Sequence, residues 1–256
     1  SGFNLQNAPQ HGIYVEGSDA ISEGITIEGN LVAGTGSSGI HVNGVNTSGL
    51  AAVDTFYLKD VAILNNEVTR TNTANGVNEA ITLGAGVQGF VIDGNHVHNT
   101  QQYGIDVKAG AKDGRVSNNS IHDIEHYGIY IDAGSRTIEN VIVEDNFVEN
   151  ATNGIVIARE SRRDPDNPNI INVDIVNNSV LNVSNMGIMV HRHIDDSGQG
   201  VIQGVNIEGN SINGAAADAI RIGFVNDFAS DITVLGNSVS NSGRALWTNV
   251  DIILGD

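Results

Sequence analysis

The chain has 256 residues, 40% of them hydrophobic, and 12 Lys or Arg against 30 Asp or Glu, for a formal net charge of -18. That balance excludes a nucleic-acid partner, which needs a basic footprint, and disfavours an anionic membrane surface. It leaves room for calcium. The absence of cysteine removes disulfides, thiolate metal sites and a Cys nucleophile. Glycine is abundant at 31 and proline scarce at 3, which suits tight turns repeated many times.

From the N-terminus onward, one tetrad recurs. It reads GIYV from Gly12, GIHV from Gly39, AITL from Ala80, GIDV from Gly104, GIYI from Gly128, GIVI from Gly154, GIMV from Gly187, AIRI from Ala219 and ALWT from Ala245. The spacings are 27, 41, 24, 24, 26, 33, 32 and 26 residues. A second motif, a Gly, Asn or Asp followed by Asn, interleaves with it at Asn30, Asn66, Asn95, Asn119, Asn146, Asn178, Asn210 and Asn237. Inside the segments the alternation has period two, as in ITIEGNLV, so each unit reads as short strands joined by turns. One such unit cannot bury its apolar side alone, so the units must stack with equivalent strands parallel. The asparagines should stack as well, their amides satisfying backbone groups at each bend and tolerating the left-handed region.

Insertions fall at 43–56, 69–79, 158–172 and 191–204, three of them directly after a tetrad strand and so on one edge of the stack. Short rungs between tall loops make a cleft suited to an extended polymer. No G-x-S-x-G elbow, P-loop or dinucleotide fingerprint is present in the context that would give it meaning.

These tetrads and Asn turns resemble the right-handed parallel β-helix repeat of pectate-lyase-like, alginate-lyase-like and mannuronan-epimerase-like proteins, from about residue 12 to residue 254. The resemblance implies an all-β, single-domain solenoid of about nine rungs over residues 1–256, with Asn-ladder turns. No signal peptide is visible at Ser1, and the expectation is a monomeric module of a longer secreted protein. GIDVK from Gly104 occupies the place of a Gly-aromatic-Asp-Pro-His-Glu run in the epimerase-like proteins. Asp106 matches its aspartate and Lys108 falls at its histidine, while the proline, histidine and glutamate are absent. Some calcium-dependent β-helix lyases also carry a strand lysine, beside an aspartate cluster that this chain lacks.

Alternation sends tetrad positions two and four inward and positions three and five outward. Asp106, Lys108, Tyr130 and Asp132 then share an outward row in the shortest rungs. One reading is a solvated face of weak ion pairs. The other is a site on an acidic, uronate-containing polysaccharide, cleaved by β-elimination or epimerised at C5, with Lys108, Tyr130, His191 and Asp106 as catalytic candidates. Lys108 serves as a base only with a lowered pKa, which Asp106 and Asp132 oppose; Tyr130 or His191 then takes that role. The candidates for binding substrate are His41, Asp132, Arg159, Arg192, His193, Arg221 and Trp247, the arginines as carboxylate or sulfate anchors. Asp106 with Asp132 also fits the carboxylate spacing of a glycoside hydrolase. A non-catalytic sugar-binding or structural domain is the competing class. His191 and His193 lack a third metal ligand nearby, and no metal ligand set is assigned; calcium is the one cofactor left open. His98 and His122 should stack on each other on another face.

Overall fold

A computed structural model describes residues 1–18, 20–44, 56–74, 76, 78–160, 168–192, 200–223 and 229–255. Among these the only regular elements are strands, their pairings are parallel, and no helix is long and apolar enough to cross a membrane. The chain coils so that each turn contributes one strand to each of three faces. The tetrads form the first face, from Ile13–Glu16 through Ile105–Lys108 to Arg244–Thr248. Longer strands such as Val87–Asp93 and Lys112–Ser117 form the second. Short strands such as Glu67–Thr69 and His96–Thr100 form the third, and Ser120–Ala133 and Phe147–Arg159 bend across from the third face into the first.

Period-two alternation fills the coil. Ile40, Ile81, Ile105, Ile129, Ile155, Ile188 and Ile220 lie in register on successive rungs, and all are buried. Burying each such side chain contributes about 1.5–3 kcal/mol relative to exposure. β-Branched residues suit this stack because their stiff rotamers pack onto a pleated surface.

The eight asparagines form a continuous ladder, buried from Asn30 to Asn210 and half-buried at Asn237. Each Nδ2 donates to the Oδ1 of the next, from Asn30 on Asn66 to Asn210 on Asn237, at 2.8 to 3.0 Å. The same Oδ1 accepts the backbone N–H of the preceding asparagine, as Asn119 does from Asn95 at 2.9 Å. The bend differs in one respect from the sequence expectation. The left-handed residue is the one before each ladder asparagine: Gly29, Asn65, Gly94, Asn118, Asp145, Asn177, Gly209 and Gly236 have φ between 53° and 66°. This accounts for the Gly, Asn or Asp at that position, the residues that enter the region at least cost.

Candidate active site

The outward face of the tetrad strands carries three columns. Positions three and five lie in register as the alternation requires, Asp106 beside Thr82 and Tyr130, and Lys108 beside Asp132. A third column comes from the residue just before each tetrad. It contains His11, Glu79, Tyr103, Tyr127 and Asp218, which the alternation did not single out.

Glu79 and Lys108 are the centre of the site. Lys108 Nζ lies 2.6 Å from Glu79 Oε1 and 3.1 Å from Asp106 Oδ2. Thr82 Oγ1 donates to Glu79 Oε2 at 2.7 Å. The lysine can fold back over the neighbouring rung because Gly84 lies there: a Cβ on Gly84 would stand 3.2 Å from Lys108 Cγ. The solvated-face reading fails at this point. Asp106 is 1% exposed and Glu79 3%, although both face away from the core of the coil.

Burial and charge set the protonation pattern. Burial opposes the charge on Lys108, but Asp106 and Glu79 outweigh it and hold the ammonium above its usual pKa. Burial would likewise raise Glu79; Lys108 and Thr82 reverse that and keep it an ionised carboxylate below its usual value. Asp106 goes the other way. Burial, with the charges of Glu79 and Asp132, overcomes Lys108 and lifts its carboxyl well above the normal range. Its Oδ1 is buried with no hydrogen-bond partner. The arrangement is one carboxyl biased toward its protonated form beside one ammonium–carboxylate pair.

Aromatic side chains flank this centre. Tyr103 and Tyr127 stack at 4.8 Å with planes 11° apart, and Tyr130 packs against both. The Tyr130 hydroxyl donates to Glu160. Burial, then Asp132 and Glu160, hold that phenol well above its usual pKa. On the other side His11, Tyr14 and His41 cluster with centroids 4.8 to 5.3 Å apart. Burial and the neighbouring His11 lower His41 to about 4.

Residues 1–172 match the family described as "Right handed beta helix region". The chain belongs to the right-handed β-helix family. Among solved structures it is similar to the A-module of a mannuronan C-5 epimerase from Azotobacter vinelandii, with 15% identity and a TM-score of 0.60 over 91% of this chain and 58% of that one. It is also similar to a hyperthermoactive exopolygalacturonase from Thermotoga maritima, with 17% identity and a TM-score of 0.67 over 91% of this chain and 52% of that one. A third similar structure is the catalytic unit of a thermostable α-1,3-glucanase from Streptomyces thermodiastaticus, at 12% identity and a TM-score of 0.56, over 96% of this chain and 49% of that one. This β-helix therefore spans about half the length of those structures. No curated protein matches it.

Along this β-helix the remaining candidates separate. Lys108 and Tyr130 stand on adjacent rungs, but the His191 position pairs with Ala158, whose partner on the other side is Asp132. His191 is thus three rungs from Lys108, roughly 14 Å at the usual strand spacing, too far to share one sugar ring. Arg159 and Arg192 pair in register, but both are buried. Arg159 donates to the Pro168 carbonyl at 3.4 Å. They stand one position past the outward row, where the alternation turns side chains inward, so they do not line the face as carboxylate anchors. His193 and parts of each insertion expected to wall the cleft lie outside the described residues. Arg221 sits 4.3 Å from the Trp247 ring and 3.1 Å from the buried Asp218, which also accepts from Arg244 at 2.6 Å. One face of the tryptophan is therefore already covered by a guanidinium.

Proposed function

We propose that this β-helix cleaves a polysaccharide by hydrolysis, on the outward face of rungs two to five. The observation that carries the reading is the buried Asp106, its carboxyl lifted above the normal range and its Oδ1 without a hydrogen-bond partner, beside the Glu79–Lys108 ion pair. Two carboxyl groups whose environments push their pKa values apart supply an acid and a base. Asp106 is the proton donor to the glycosidic oxygen. Asp132, one rung away and half-buried, takes the role of base toward the attacking water in this reading. Glu79 has both oxygens engaged, so its role with Lys108 is to hold Asp106 in place and tune it. Asp106 is closed over in this structure, so substrate must displace its cover to reach Oδ1. The stacked Tyr103 and Tyr127 offer the apolar platform that sugar rings use.

The β-elimination and C5-epimerisation readings need a base, and the geometry supports neither strand candidate for it. Lys108 is locked as an ammonium and Tyr130 is held as a phenol. Glu79 and Asp106 flank a single lysine, with Asp132 on the next rung and Glu160 against Tyr130, an excess of acidic groups that favours a neutral glycan over a polyuronate. An extracellular setting is part of the same proposal, since polysaccharides of that size lie outside cells.

The test is a panel of neutral glucans and polyuronates, with and without calcium, followed both by reducing-end release and by the ultraviolet absorbance of unsaturated uronate ends. Reducing ends without unsaturation, lost in Asp106→Asn, are the expected result. Unsaturated ends would overturn hydrolysis in favour of elimination, and a flat response on every substrate would leave the binding-module class.

A further inference from the structure

The third face carries a cluster that the candidate active site does not use. His96 and His98 are two apart on one strand and point the same way. Glu67 lies in register with His96 on the rung before, and His122 in register with His98 on the rung after. The diagonals close the group. His98 Nε2 is 3.4 Å from Glu67 Oε1, and His96 Nε2 is 2.9 Å from His122 Nε2. The donor atoms of Glu67, His96 and His98 all lie within 4.8 Å of one another.

We propose that Glu67, His96, His98 and His122 form a binding site for a divalent late transition-metal ion, copper or nickel. Three imidazoles and one carboxylate are the donor set such ions take. The facing nitrogens of His96 and His122 point their donor atoms at a common space, and a cation there would satisfy both lone pairs. With metal–nitrogen bonds of about 2.0–2.1 Å, a separation of 2.9 Å subtends roughly a right angle. That angle suits tetragonal coordination rather than the tetrahedral geometry of zinc. Glu67 is half-exposed and free to swing in by the small distance that closes the set.

The surroundings orient the rings. His122 Nδ1 is 2.8 Å from Asp123 Oδ2, so its Nδ1–H donates to a carboxylate and Nε2 presents its lone pair to the cluster. Outer carboxylates of this kind fix the tautomer of metal-bound histidines. Thr69 Oγ1, 3.3 Å from His98 Nδ1, accepts from that nitrogen in the metal-ready tautomer. Asn99 Nδ2 is 2.8 Å from the same nitrogen and turns its amide over when that tautomer forms. His98 and His122 stack with planes 13° apart. The edges of all these rings are open enough for an ion to enter from solvent, with His98 and His122 side chains 16% and 29% exposed.

The test is calorimetric titration of the tag-free chain with Cu²⁺ and Ni²⁺, each paired with calcium as a control, and electron paramagnetic resonance of the copper form. The expected result is one ion per chain, nitrogen splitting from more than one imidazole, and affinity at least tenfold weaker in His96→Ala and in Glu67→Gln. His11→Ala, on another face, should bind as the unaltered chain does. The ligands lie at the surface, so the variants should keep the circular dichroism and melting temperature of the parent. Affinity no better than millimolar, binding unchanged in His96→Ala, or heat from calcium alone would each overturn the site. None of these results depends on whether the chain cleaves a glycan.

Discussion

Replacing Lys108 with Met removes the cation that two buried carboxyl groups share. Glu79 then keeps only Thr82 and the neighbouring Asp106 carboxyl as polar partners, in a place where its side chain is 4% exposed. Breaking a buried ion pair in this way costs about 3–5 kcal/mol. The carboxylate can escape part of that by taking up a proton. Carrying a carboxyl from its usual value of about 4.3 to pH 7 costs about 1.4 kcal/mol per unit, so the loss is capped near 3–4 kcal/mol at pH 7. For a chain of this size that corresponds to a fall of about 6–16 °C in melting temperature. The sign with pH is fixed. In the parent, Glu79 has a folded pKa below its unfolded one, so its stabilisation is present above the unfolded value and lost as pH falls through the folded one. In Lys108→Met the folded pKa rises above the unfolded one, and the penalty grows as pH increases. Melts of parent and variant at pH 5 and pH 7.5 should therefore diverge most at the higher pH. A loss of under about 1 kcal/mol, equal at both values, would show an ammonium solvated at the surface and refute the buried cluster.

Other consequences are equally direct. Asn119→Ala removes the acceptor for the Asn95 backbone and side chain, and the donor to the Ile92 carbonyl; two or three buried groups left unpaired should cost about 3–6 kcal/mol, read as a melting shift. At Asn118, where φ is 53°, replacement by Gly should be nearly neutral and by Val should cost at least about 1–2 kcal/mol. His41, lowered to about 4 by burial and His11, should titrate near that value by nuclear magnetic resonance. Because its folded pKa lies below its unfolded one, stability is full above about pH 6.5 and falls as pH drops toward 4, and His41→Leu should flatten that slope.

How much of this was legible depends on what each feature requires. The tetrads, their period-two parity and the eight asparagines could be read directly, because a solenoid repeats the same local demand in every turn. The Gly, Asn or Asp before each ladder asparagine was legible as a motif, but only the backbone dihedrals show that it carries the left-handed bend. Glu79 was missed because it stands before the tetrad, outside the alternation, and reaches Lys108 across 29 residues. A scan of the residue preceding every tetrad would have found it, together with Tyr103, Tyr127 and Asp218. His98 over His122 followed from equal spacing after the Asn turns, while Glu67 and His96 join them only through the diagonal reach of side chains between rungs.

The sequence by itself determined the coil: which residues face inward, where the chain bends, and that equivalent strands stack in parallel. These are local rules repeated, and period two with an asparagine at each bend is enough to express them. Only the tertiary structure decided the chemistry of the outward face. Outward does not mean exposed there, because neighbouring rungs cover Asp106 and Glu79. Whether a carboxyl is an acid, a base or half of an ion pair depends on charges and burial supplied by other turns of the chain, and no periodicity carries that information.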